Sequence, residues 1–135
     1  MKLNGSCLCG EIKFELKPPF TAFAHCYCGR CRKATGSGRA SVFIAEPENL
    51  QWTQGKEKRN RWDLPSASSF ATSFCSQCGG HLPRLTRNGK YAVIPAGSID
   101  GDLPFQIECH ENFSSRANWI DLNEINLPIY DEDPP

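Results

Sequence analysis

Phe74-Cys75-Ser76-Gln77-Cys78-Gly79-Gly80 is the stretch on which the fold turns. Two cysteines separated by two residues and followed by glycine make a metal knuckle. The chain doubles back, both sulfurs converge, and Gly79-Gly80 supply the backbone freedom such a turn needs. A knuckle provides half of a tetrahedral site. Cys7-Leu8-Cys9, near the start of the sequence, offers the other half. On a strand, residues i and i+2 face the same side, so Cys7 and Cys9 are expected to reach one ion together. Cys7, Cys9, Cys75 and Cys78 therefore read as a closed, structural zinc site that clips the N-terminal strand to the middle of the chain. Closing so long a loop through a metal adds stability that a small core lacks.

A second group lies between these halves: Cys26-Tyr27-Cys28-Gly29-Arg30-Cys31. Three thiolates from one short stretch can hold zinc without completing its coordination, and zinc with three protein ligands and one open position is the catalytic pattern. Such a zinc suits an incoming thiol, because a metal-bound thiol is deprotonated outright. A thiolate or water held there can add to a carbonyl or imine carbon. Two other readings stay open. A fourth ligand, drawn from Cys109, His25, His81 or His110, closes the site; or the three cysteines stay metal-free and redox-labile. His81 reads as an ordinary polar residue. His110 reads either as a general base near the open zinc, with an unperturbed pKa of about 6.5, or as a structural hydrogen-bonding group.

Eight cysteines in 135 residues would suit a secreted disulfide framework. The clustering favours metal instead, and the start, Met1-Lys2-Leu3-Asn4-Gly5-Ser6, shows no apolar signal region, so a reducing cytoplasm is expected. Fifteen basic residues balance fifteen acidic ones. That balance argues against a nucleic-acid binder, and no apolar run approaches the roughly 20 residues of a membrane span. The run Lys56-Glu57-Lys58-Arg59-Asn60-Arg61 reads as a solvated strand face. Arg30, Arg32, Lys33 and Arg39 crowd the three-cysteine segment. They either hold carboxylates of an anionic thiol or simply offset thiolate charge in water.

Ile12, Phe14 and Leu16 alternate with charged residues, the pattern of a half-buried strand. Ala40–Ala45 reads as another, with more over 50–53, 59–62, 69–74, 91–95 and 105–109. At most a short helical turn follows Cys28. Glycines and prolines are scattered throughout, as in short strands joined by turns. The expected fold is mainly β, one domain over residues 1–135, with a disordered tail at 131–135. Trp52, Trp62 and Trp119 are expected in the core or, for Trp119, at a pocket wall.

Further motifs link these clusters in one order. Gly5-Ser6-Cys7-Leu8-Cys9-Gly10 runs into the Ile12/Phe14 strand, and His25 precedes the three cysteines, which run into Arg32-Lys33 and Gly36-Ser37. After the knuckle come Leu82, Ala96-Gly97-Ser98-Ile99-Asp100, His110, Ser115-Arg116, Trp119 and Leu127-Pro128-Ile129-Tyr130. Taken together they resemble the glutathione-dependent formaldehyde-activating enzyme family, whose domain also occurs in centromere protein V. The resemblance implies a β-tent fold and two zinc ions: a structural one on Cys7, Cys9, Cys75 and Cys78, and a catalytic one on Cys26, Cys28 and Cys31. It also implies carbon–sulfur lyase chemistry, in which glutathione and formaldehyde join into S-hydroxymethylglutathione. Members of the family handle other substrates too, so a small molecule, glutathione or another thiol, is the expected partner. Cys109, and Thr72-Ser73 where an arginine is expected before Phe74, depart from the family pattern. The rival reading is a non-enzymatic module in which zinc only builds a scaffold for a protein partner.

Overall fold

Ile12, Phe14 and Leu16 are almost wholly inaccessible to solvent, while Lys13 between them is exposed. Burial of such side chains contributes about 1.5–3 kcal/mol each. The computed structural model describes residues 1–134, apart from the side chain of Ile125. It contains the strands β1 (Leu3–Ser6), β2 (Lys13–Leu16), β3 (Phe20–Cys26), β4 (Ala40–Ala45), β5 (Leu50–Gln54), β6 (Arg59–Asp63), β7 (Ala71–Cys75), β8 (Arg84–Leu85), β9 (Ala92–Pro95) and β10 (Cys109–Glu111). One short helix, α1 (Gly29–Thr35), follows β3. The mainly β architecture is as expected.

The strands form a three-stranded sheet β1-β2-β5, a five-stranded sheet β10-β3-β4-β9-β8 and a β6-β7 hairpin. Only β10, against β3, pairs in parallel. A single core joins all three: Phe14 and Leu16 from the first sheet, Phe43 and Ile94 from the second, and Cys75 beside the third. Phe23 and Phe105 meet Phe43 edge-on, with ring centroids 5.8 and 5.3 Å away, the favoured aromatic geometry. Gly5 lies opposite Phe14 in the β1–β2 register. A Cβ there would fall 2.1 Å from the Phe14 ring, so the ring packs flat on bare backbone.

Several expectations need correction. Cys7 and Cys9 do not lie on a strand; they sit in the turn after β1. The strand expected over 105–109 is displaced to Cys109–Glu111, because Phe105 is spent as a core plug. Strand β3 carries no clean alternation: Ala22 has a φ of 55° and a register shift separates Thr21 from Ala24, which leaves adjacent Phe23 and Ala24 both buried. Trp62 and Trp119 are exposed, at 53% and 65%. Only Trp52 approaches the core, edge-on to Phe14 at 5.7 Å. Among the described residues no helix is long and apolar enough to cross a membrane. Residues 131–134 form no regular element, and Pro135 lies outside the described residues.

Candidate functional site

The turn after β1 is closed by the Gly10 N–H on the Cys7 carbonyl, 3.0 Å, and the Cys7 N–H on that of Ile12, 3.1 Å. It brings Cys7 and Cys9 sulfurs to 3.7 Å from each other, and Cys9 lies 3.9 Å from Cys75. A tetrahedron with zinc–sulfur bonds of about 2.3 Å needs sulfurs about 3.8 Å apart. Backbone N–H groups point at three of these sulfurs: Ile12 to Cys7 at 3.3 Å, Gln77 to Cys75 at 3.4 Å and Gly80 to Cys78 at 3.4 Å. The knuckle turns at Gly79, with a φ of 74°. At Gly80 a Cβ would stand 2.9 Å from the Leu8 nitrogen; the two turns interlock there, and only glycine fits.

The electrostatics of the four sulfurs call for positive charge among them. The Gly80 N–H, ahead of a contact from the backbone at Cys9, pulls the Cys78 thiol down to about 6. The Glu11 N–H acts in the same direction on Cys9, but lost hydration and the neighbouring sulfurs outweigh it and push that thiol up to about 12. Four sulfurs this close cannot all be thiolates without positive charge among them. The donor set and spacing fit zinc.

The second cluster is built differently. Cys26 ends β3, Cys28 caps α1 with its sulfur accepting the Cys31 N–H at 3.4 Å, and Cys31 lies in the first turn. All three sulfurs lie within 4.8 Å of one another. Asn112, just past β10, donates its Nδ2 to the Cys26 sulfur at 3.2 Å. Burial pushes the Cys31 thiol up, and Cys26 and Cys28 push it further. Burial also opposes ionisation of Cys28, but the Cys31 N–H and neighbouring thiols leave it lowered. This donor set too fits zinc, with three of four positions filled. Among the described residues no further Cys, His or carboxylate joins the group, so Cys109, His25, His81 and His110 do not close it.

His110 is placed one residue from Glu111, which pairs with Cys26 across β10 and β3. Its Nδ1 meets the Tyr27 hydroxyl at 2.8 Å, and that hydroxyl accepts from Arg39 Nη1 at 3.0 Å. His110 is thus tied to the link between β3 and α1 by a hydrogen bond to Tyr27. His25 engages Ser41 Oγ at 2.8 Å; burial first, then Arg39 and His110, lower its pKa.

A cavity of about 690 Å³ runs between the clusters, touching Cys31 of one and Cys7 of the other. Its polar lining includes Arg39, Ser73, His81, Arg84 and Asp100. Of the four basic residues near the three cysteines, Arg39 alone reaches it; Arg30 and Lys33 are exposed elsewhere, and Trp119 packs on Gly38 instead. Sequence reasoning missed Tyr27, Ser73, Arg84 and Asn112. Tyr27 stands between two of the clustered cysteines, the one local signal available; the others come from distant segments with no motif of their own.

A small β domain organised by two thiolate clusters suited to zinc is the class that this geometry defines. The sequence profile of the family described as glutathione-dependent formaldehyde-activating enzyme matches residues 2–116, and the chain belongs to that family. A Halomonas elongata protein provisionally assigned as a glutathione-dependent formaldehyde-activating enzyme is 29% identical over 128 residues, covering 90% of this chain and 82% of its own length. A crystal structure of a Rhodobacter sphaeroides protein shares the fold, with a TM-score of 0.62 at 20% identity, covering 79% of this chain and 98% of that one.

Proposed function

We propose that this chain is a zinc-dependent carbon–sulfur lyase of the S-(hydroxymethyl)glutathione synthase type, joining a small thiol to a small carbonyl compound or reversing that step. The observation that carries the reading is the three-sulfur cluster: Cys26, Cys28 and Cys31 leave one coordination position open, and Cys31 faces a cavity of about 690 Å³. Ligand pockets typically measure about 300–1,000 Å³, so this one accommodates far more than formaldehyde. Cys7, Cys9, Cys75 and Cys78 hold the structural ion. A bound zinc at the second cluster supplies a Lewis-acidic position at which an incoming thiol loses its proton.

The chain's own residues do the rest. Arg39 orients the bound molecule from the cavity wall. Tyr27 fixes the His110 ring through Nδ1, and His110 is the base that we assign to the proton the thiol releases. The substrate sulfur adds to the carbonyl carbon, the carbon–oxygen π bond breaks, and the oxygen takes up a proton, so none is gained or lost overall. We place the chain in a reducing cytoplasm, the setting in which clustered cysteines hold metal rather than pair as disulfides.

The test is adduct formation from glutathione and formaldehyde on zinc-loaded protein, followed by NMR. Acceleration over the uncatalysed reaction is expected for the wild type. Cys28→Ser is expected to abolish it while keeping about one zinc per chain. A fully active Cys28→Ser protein removes the three-cysteine cluster from catalysis.

A further inference from the structure

Buried polar atoms are almost always satisfied, so the exceptions point to something absent. Among the described residues three buried side-chain nitrogen or oxygen atoms lack a partner: Arg32 Nε, Ser73 Oγ and Arg84 Nη1. Arg32 does not line the cavity. Ser73 and Arg84 both do, and Ser73 is only 2% exposed.

Among the described residues Arg84 closes no ion pair with a carboxylate. Its guanidinium lies over the Phe70 ring at 5.3 Å, which sets the plane of the fork. The nearby carboxylate of Asp63 is taken by Arg61 at 2.9 Å, with Arg87 at 3.7 Å. Asp100, the one carboxylate lining the cavity, accepts Ser6 Oγ at 2.9 and 3.1 Å. Burial first, then Arg61, lower the Arg84 pKa against the opposing charges of Cys31 and Asp63, and a guanidinium stays charged. The cavity lining therefore holds a positive charge with an unmet N–H and, on another strand, an unmet hydroxyl. A carboxylate, with two oxygens as acceptors, meets both.

We propose that Arg84 and Ser73 form a carboxylate-anchoring site in the cavity wall, so that the molecule taken up beside Cys31 is selected for negative charge. This rests on the cavity being the substrate site of the proposed function and names the chemical class it accepts. Charge-assisted, fork-type recognition of this kind discriminates sharply against a neutral analogue of the same shape.

S-Methylglutathione and its diester make the test, titrated calorimetrically into the zinc-loaded full chain. The thioether has no thiol proton to lose, so its binding is read apart from the chemistry. The wild type is expected to prefer the free acid by roughly tenfold or more. That preference should collapse in Arg84→Met, and shrink in Ser73→Ala and Arg84→Lys. Equal binding of acid and diester to the wild type within about twofold, absence of saturable binding at millimolar concentration, or an undiminished preference in Arg84→Met would each overturn the site. The ester comparison needs no variant, and if Arg84→Met fails to fold, an undiminished preference in both Arg84→Lys and Ser73→Ala overturns the site. Acid preference without glutathione–formaldehyde adduct formation would sink the proposed reaction and leave the anchor standing. Adduct formation without acid preference would do the reverse.

Discussion

The two cysteine clusters use the same ligand atom and are built on opposite plans. Cys9 and Cys75 meet across 66 positions of sequence, whereas Cys26, Cys28 and Cys31 fall within one short segment. In the chain-entropy picture of a crosslink, closing a loop of the first size removes about 4 kcal/mol of disorder from the unfolded chain, against about 2 kcal/mol for a loop of a few residues. Backbone N–H groups of Ile12, Gln77 and Gly80 hydrogen-bond to sulfurs of the first cluster at 3.3 to 3.4 Å, and that of Glu11 also acts on Cys9. The second receives one backbone N–H and one side-chain amide. On the proposed reading the first is part of the fold's framework; the second is a site placed on it, one ligand short of a tetrahedron. That reading separates stability from reactivity by the sequence distance between ligands.

The sharpest way to break this contrast is to remove one sulfur from each cluster. Cys78→Ala should lose the cooperative fold, because a structural zinc supplies folding free energy comparable to the whole stability of a small domain. Cys31→Ala should stay folded and melt within several degrees of the wild type, since a site with ligands from one segment constrains little. Thermal melts that ranked the two variants the other way would dissolve the distinction between framework and site.

Metal removal sharpens it next. Under a competing chelator, about one zinc per chain should leave without change in the far-ultraviolet circular dichroism, and the other only as the fold is lost. The emptied triad should then become the place where thiols oxidise, as closely spaced free cysteines do. Simultaneous loss of both metals with unfolding would show that the clusters are equivalent.

A smaller effect is expected at Asn112, whose amide reaches the Cys26 sulfur. Its φ of 53° makes glycine the substitution that removes the amide without adding backbone strain. Asn112→Gly should weaken zinc at the second cluster by roughly 10- to 100-fold, the usual effect of removing an outer-shell partner. The melting temperature should hardly move. A competition titration with a zinc-binding dye checks both; unchanged affinity would remove Asn112 from the site.

How much of this was legible in sequence follows the same division between local and distant. Phe14 announced its strand because neighbours at i±2 carry the pattern, and both clusters stood out because cysteine spacing is local. Cys7 and Cys9 were grouped for the wrong geometric reason: a turn closed by Gly10, not a pleat, brings their sulfurs together. Strand β3 was hidden because the bulge at Ala22 breaks the alternation. Ser73 and Arg84 were hidden because their meaning lies in a cavity shared with Cys31, and no periodicity links those positions. Arg84 in particular reads in sequence as one more surface cation.

The smallest expected effect lies outside both clusters, on the strand that supports the first. Asp63 ends β6, the partner of the strand carrying Cys75. The Arg61 hydrogen bond, ahead of the charges of Arg61 and Arg87, holds the Asp63 carboxyl below its usual range. A lowered carboxyl pKa stabilises the fold at pH values above the unfolded value of about 3.9, and that contribution disappears as pH falls through the folded value. The Asp63→Asn variant should therefore show a slightly lower urea midpoint than the wild type, with a difference that stays level from about pH 8 to pH 5. Exposed ion pairs are screened, so added salt should shrink the difference toward zero. Zinc content should remain unchanged throughout, because no cluster sulfur touches Asp63. A difference that grew with salt, or that came with loss of zinc, would mean that β6 supports the first cluster through something other than this ion pair.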